Sequence, residues 1–236
     1  MRQPDEWPHL PLRAWDLVLI VVLTLAAIQL LGFAIADLEL SAGLIVAILV
    51  LQSVLVLGAI YLVAIGLRGA TPEQLGLRAA PRRWYLRAVE VAFLTLPLVW
   101  LVNATVQAFS GTPFRNPQIE LIAPDGFSWS YLFGMTFVTG IVAPIAEEIA
   151  FRGVLYGWLR QRFGVPAGVA ISALLFSVAH GIPALIPALA VQGMVLALLY
   201  ERSGSLWPPI ITHGTYNAAT IILLYAALAS GIAPPE

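Results

Sequence analysis

Apolar runs, most of them near twenty residues long, follow one another from residue 16 to residue 229 with few charges inside them. A run of that length matches the ~30 Å hydrocarbon core of a bilayer when it rises 1.5 Å per residue. Within lipid no water satisfies the peptide groups, so each run must close its hydrogen bonds internally, as a helix does. Seven segments qualify or nearly qualify: 16–36, 43–67, 86–109, 128–158, 165–182, 185–201 and 207–229. The fourth is too long for one crossing and contains Pro144, which removes a backbone donor and predicts a kink or a division into two elements. Composition agrees: 60% of residues are hydrophobic and 11% charged, against about 25% charged in soluble domains. The expected fold class is all-α, a polytopic membrane helix bundle of about seven to eight transmembrane helices in a single domain over residues 1–236.

Charge and residue usage exclude several chemistries. Net charge is −1, which gives no electrostatic basis for a nucleic-acid partner. Cysteine is absent, so disulfides, thiolate metal sites and a cysteine nucleophile are ruled out. The basic residues are twelve arginines and no lysine, so no lysine Schiff base is available. Arg2 and Arg13 before an apolar run ending in "AIAD" mimic a secretory signal. The run of about twenty residues exceeds the ~7–15 of a signal core, so an uncleaved anchor helix is expected.

Arginine placement predicts an orientation in the cell membrane. Arg68, Arg78, Arg82, Arg83 and Arg87 crowd one connection, Arg160 and Arg162 follow the fourth span, and Arg202 follows the sixth. The opposite connections hold Arg115 beside Asp37, Glu39, Glu120 and Asp125. The positive-inside rule then puts the N-terminus in the cytoplasm. Within the basic connection, "TPEQLGLR" opens with Thr71 as N-cap, Pro72 and Glu73, which reads either as a short surface helix near headgroups or as a solvated loop.

The fourth segment then breaks the apolar pattern: "PIAEEIAFRG" carries Glu147, Glu148 and Arg152. Ionisable groups at membrane depth cost roughly 2.5–3.5 kcal/mol each on insertion scales and usually face the bundle interior. Glu148 and Arg152 are spaced i,i+4 and pair on one helix face. Glu147 points about 100° away. One arginine neutralises one carboxylate, so the other must be protonated, face water or meet a second positive group.

Partners lie downstream. Phe176 and His180 stand at i,i+4 in "FSVAH", and His213 and Asn217 at i,i+4 in "HGTYN". If the fourth and fifth spans turn near Gly164, Glu147 lies 17 residues before the turn and His180 16 after, both about 24–26 Å from it. Gly164, Ala167, Gly168 and Ala170 would allow those helices a close approach. His213 is nearer its own connection, about 10–13 Å by the same rise, which leaves a gap in depth. Each element also has a purely structural reading: a buried salt bridge, interhelical histidine contacts, and Phe176 as core or lipid-facing. Two carboxylates, two histidines and an asparagine on three helices concentrate more acid–base chemistry than packing requires.

The ordered patterns E-E-x-x-x-R, F-x-x-x-H and H-x-x-x-N, over about residues 125–220, resemble the CPBP family of CAAX-type prenyl endopeptidases and bacteriocin-processing (Abi) proteins. "LGLR" at 75–78 is similar to an upstream segment of the family. The resemblance implies an intramembrane endopeptidase acting on a membrane-associated peptide or protein, with prenylation of that substrate left open. Glu147 is then the expected general base, His180 positions the water, and His213 and Asn217 hold the oxyanion. Glu148 with Arg152 would orient the helix or contact substrate. No cofactor is expected as certain; Zn²⁺ held by Glu147, His180 and His213 is the metal-dependent alternative, although H-E-x-x-H is absent. Two further classes stand beside this one: a proton-coupled transporter using Glu147, Glu148 and His180 as a relay, and a non-catalytic membrane immunity or scaffold protein.

Overall fold

Helix ends in this chain fall where backbone donors or side-chain caps run out. In the computed structural model, which describes residues 7, 9–110 and 127–231, eight α-helices follow in order. Helix α1 is Ala14–Ile35, and α2 is Ala42–Ile60, which continues as a π-helix over Tyr61–Leu67. Helix α3 is Arg82–Ser110, α4 Trp129–Phe137, α5 Ala143–Glu148, α6 Gly157–Ala179, α7 Ile186–Ser203 and α8 Trp207–Ala229. Ser41 Oγ caps α2 by accepting from the Leu44 N–H at 3.3 Å. Gly204, at φ 65°, ends α7, its N–H donating to the Tyr200 carbonyl. Helix α8 opens on Trp207-Pro208-Pro209, where a missing N–H breaks no bond.

The fourth apolar segment continues as a helical path through Pro144. Turns of π-helix over Val138–Val142 and Ile149–Tyr156 flank the short α5, in whose first turn Pro144 sits. Gly164, at φ 77° and ψ 176°, breaks helical geometry within α6, and Pro166 restarts it two residues on. Gly168 then packs on the preceding stretch, where a Cβ would stand 3.2 Å from the Arg160 nitrogen. This is the turn expected near Gly164.

Among the described residues, five helical stretches are long and apolar enough to cross a membrane: Ala14–Ile35, Gly43–Leu67, Arg82–Ser110, Trp129–Ala179 and Pro183–Ser203. The count of seven to eight divides the 51-residue stretch and adds 207–229. Helix α8 has the length, 23 residues, but His213, Tyr216 and Asn217 dilute its apolar character. Arg2, Arg115, Glu120 and Asp125, on which part of the expected orientation rests, lie outside the described residues.

The "TPEQLGLR" stretch is not a surface helix. Thr71 does cap, accepting from Gln74 N–H at 3.3 Å while Gln74 Oε1 accepts from Thr71 N–H at 2.8 Å, but one turn is all that forms. The chain then dives inward. Leu75 is 2% exposed, the Gly76 carbonyl accepts from Leu206 N–H, and Arg78 donates to the Gly204 carbonyl. This strap covers the link between α7 and α8, so Ser203, Ser205 and Leu206 are buried. Helix α8 therefore starts inside the protein rather than at its edge.

Helix α8 also packs backbone to backbone against the Val138–Val142 turn. A Cβ on Gly214 would collide with the Gly140 carbonyl, and one on Gly140 would stand 3.2 Å from Ala218 Cβ. Gly214→Ala should therefore destabilise by about 1–3 kcal/mol through overpacking. Gly58→Ala, in α2 with nothing within 4 Å of its Cβ position, should be neutral or stabilise by about 0.5–1 kcal/mol. Thermal unfolding of both variants in detergent checks the contrast; equal melting would refute the close approach.

Candidate active site

Glu148 and Arg152 pair across one turn, with Arg152 Nη1 donating to Glu148 Oε1 at 2.9 Å. Both are buried, at 0% and 1% exposure. The same Glu148 oxygen accepts from His213 Nδ1 at 2.8 Å, which leaves His213 Nε2 facing the neighbouring carboxylate. Glu147 Oε2 lies 3.8 Å from that Nε2 and has no hydrogen bond, while the Glu147 side chain as a whole is 33% exposed. A 3.8 Å gap is too long for a direct hydrogen bond. The His213 ring thus lies between the two carboxylates, Nδ1 on Glu148 and Nε2 towards Glu147.

Phe176 organises the next layer and is fully buried, neither peripheral nor lipid-facing. The Arg152 guanidinium stacks over its face at 4.4 Å. Both imidazoles meet the ring edge-on, His180 at 4.8 Å and His213 at 5.8 Å between centroids. His180 ends α6, with Nδ1 2.8 Å from the Phe176 carbonyl. A carbonyl only accepts, so Nδ1 carries the proton and Nε2 has a free lone pair. The F-x-x-x-H spacing thus fixes the histidine tautomer through the backbone of its own phenylalanine.

Asn217 lies one turn beyond His213 and answers a defect in the facing helix. Ala143 N–H goes to the Val138 carbonyl in a π pattern, and the next residue, Pro144, has no N–H to offer the Thr139 carbonyl. Asn217 Nδ2 fills that place, donating to Thr139 O at 2.9 Å. One amide hydrogen remains for other use.

Glu147, His180, His213 and Asn217 all line one cavity of about 760 Å³, bounded otherwise by mainly apolar side chains of α1, α2, α3 and α7. Glu148 and Arg152 stand behind its wall. The depth mismatch expected for His213 is absent because α8 begins inside the protein, and its backbone touches the Val138–Val142 turn. The Arg152 anchor at Gly193, whose carbonyl accepts from Nη2 at 3.2 Å, was not foreseen in sequence; only the glycine itself hints at it. Among the described residues no three histidine, aspartate or glutamate side chains form a group able to share a metal ion. Glu147, His180 and His213 form no such group, although the pairing of Nδ1 in both histidines leaves each Nε2 available.

Residues 128–219 match the family model described as Type II CAAX prenyl endopeptidase Rce1-like. The putative membrane peptidase YdiL of Bacillus subtilis (strain 168) is 32% identical over 89 residues, covering 38% of this chain and 36% of that protein. The membrane-embedded CAAX protease MroQ of Staphylococcus aureus (strain USA300) is 32% identical over 92 residues, covering 36% of this chain and 37% of that protein. The chain thus spans little more than a third of the length of these curated relatives. No solved structure matches it significantly. The matched segment contains every residue from Glu147 to Asn217 described above, and over that segment the chain is similar to the Rce1-like CAAX peptidases.

Proposed function

We propose that the protein is an intramembrane endopeptidase of the cell membrane, N-terminus cytoplasmic, that hydrolyses a peptide bond in a membrane-associated peptide or protein. The observation that carries this reading is the division of the glutamate pair. Glu148 is spent inside the protein on Arg152 and His213 with no exposure, whereas the Glu147 side chain is one-third exposed (33%) and lines the cavity. A carboxylate at the wall of a mostly apolar cavity is a competent general base.

In the proposed reaction Glu147 takes a proton from a water that His180 Nε2 orients, and the water oxygen bonds to the scissile carbonyl carbon. The carbonyl electron pair moves to its oxygen. Protonated His213, donating from Nε2, and the free Asn217 N–H stabilise that oxyanion. Glu148 supports the imidazolium from the far nitrogen, as a carboxylate does in a serine-protease triad. The carbon–nitrogen bond then breaks, the proton on Glu147 passes to the departing amine, and the new carboxylic acid gives up its own proton, so that a carboxylate and an ammonium group leave. The matched family model's description suggests farnesylated Cys-aliphatic-aliphatic-X peptides as probes, to be run beside the same peptides without the lipid.

Cleavage by the purified protein in liposomes, with proton flux recorded in the same vesicles, tests the reading. Glu147→Gln should lower cleavage by orders of magnitude with thermal stability retained, because shape and hydrogen bonding persist while the base is lost. Wild-type cleavage by this variant would falsify the mechanism, and flux without cleavage would favour a relay.

Arg152→Ala should act differently. It strands Glu148 in a closed interior and should cost about 3–5 kcal/mol of stability along with activity. Asn217→Ala should lower kcat about 100- to 1,000-fold and also depress the melting temperature, since the Thr139 carbonyl loses its donor. A variant that lost activity with an unchanged melting point would show that the Thr139 contact contributes nothing. Chelators should leave activity intact; loss that Zn²⁺ restores would replace the metal-free mechanism with a metal-dependent one.

A further inference from the structure

Three carboxamides reach the same cavity away from the charged cluster: Gln52 on α2, Asn103 on α3 and Gln192 on α7. None has a hydrogen-bond partner among the described residues. Gln192 is the most constrained of them. Only 3% of it is exposed, yet its side chain lines the cavity. The adjacent Gly193 fixes its height: the Gly193 carbonyl holds Arg152, and a Cβ there would stand 3.0 Å from Ala173 Cα. Gln192 is therefore held at a set position relative to Arg152, and through Arg152 relative to Glu148 and Glu147.

The amide finds no protein partner, so a ligand that fills the cavity and displaces water from it must supply one or leave the amide unpaired. The chemistry of the missing partner follows from the group itself. A carboxamide offers N–H donors beside a C=O acceptor, the complement of a peptide unit's C=O and N–H. An acyl or isoprenoid chain offers neither. Gln52 and Asn103, on two other walls, repeat the same requirement.

We propose that Gln192 is a specificity-determining residue that pairs with the main chain of the substrate next to the scissile bond and so selects an extended, unwound peptide. A helical substrate keeps its backbone groups bonded to itself and cannot make this pairing, so a transmembrane helix would have to unwind at the cleavage point. This rests on the endopeptidase reading above.

The test uses the full chain in liposomes and a peptide library from a digested membrane proteome, with cleavage sites read by mass spectrometry. The best-cleaved peptide is then remade with each backbone nitrogen N-methylated in turn. The wild type should lose about tenfold or more in kcat/KM at one nitrogen beside the scissile bond, the loss of a hydrogen bond. Gln192→Leu should cleave the parent peptide about tenfold less efficiently, mainly through KM, and should be indifferent to methylation at that nitrogen. Its melting temperature should match that of the wild type, because no hydrogen bond within the protein is lost. The same methylation profile in both proteins, or a lowered melting temperature, would overturn the assignment while leaving the endopeptidase reading intact. If the leucine variant fails to fold, Gln192→Met carries the comparison, and failure of both counts as a structural role against the proposal. A folded wild type that cleaves no peptide of the library would remove both readings.

Discussion

One carboxylate oxygen organises the site. Glu148 Oε1 accepts from Arg152 on its own helical path and from His213, 65 residues further along the chain, with no solvent to share the charge. An uncompensated ion in such an interior is strongly destabilising, so the three groups hold one another in place. Arg152 cannot leave Glu148, and its remaining contacts reach the Phe176 face and the Gly193 carbonyl. Helices α6, α7 and α8 are thereby all tied to the turn that carries the glutamate pair.

The adjacency of the two glutamates has its own logic. Consecutive residues on a helix point about 100° apart, so two neighbours in one sequence position cannot share an environment. Glu148 faces the helices and serves structure. Glu147 faces the cavity, with an oxygen that no protein donor satisfies. The two carboxylates, one residue apart, approach opposite nitrogens of the same histidine.

The backbone is as much a part of the site as the side chains. Pro144 withdraws a donor just before the glutamates, the ladder loosens into π geometry, and the orphaned Thr139 carbonyl is taken up by Asn217. Paired glycines at 140 and 214 let α8 come close enough for that bond to form. The H-x-x-x-N spacing is therefore read at two levels of one partner path, His213 at Glu148 and Asn217 at Thr139. Binding and packing are the same contacts there, which is why this region tolerates so little open space.

Local chemistry was legible in sequence: the helical class, the segments 43–67 and 207–229 to the residue, the turn at Gly164 and the Glu148–Arg152 pair. Each depends on neighbours within a few positions, through apolar length, backbone donors or i,i+4 spacing. Other features depend on where remote backbone lies, and these only the tertiary structure decided. The "LGLR" strap buries the α7–α8 link, which sets the depth of His213; Phe176 becomes the ring between two imidazoles; Asn217 meets a carbonyl freed by a proline on another helix. Spacing along a chain fixes which side chains share a face, but not the height at which one helix meets the next, because that height is set by covered loops and by glycine contacts between segments far apart in sequence.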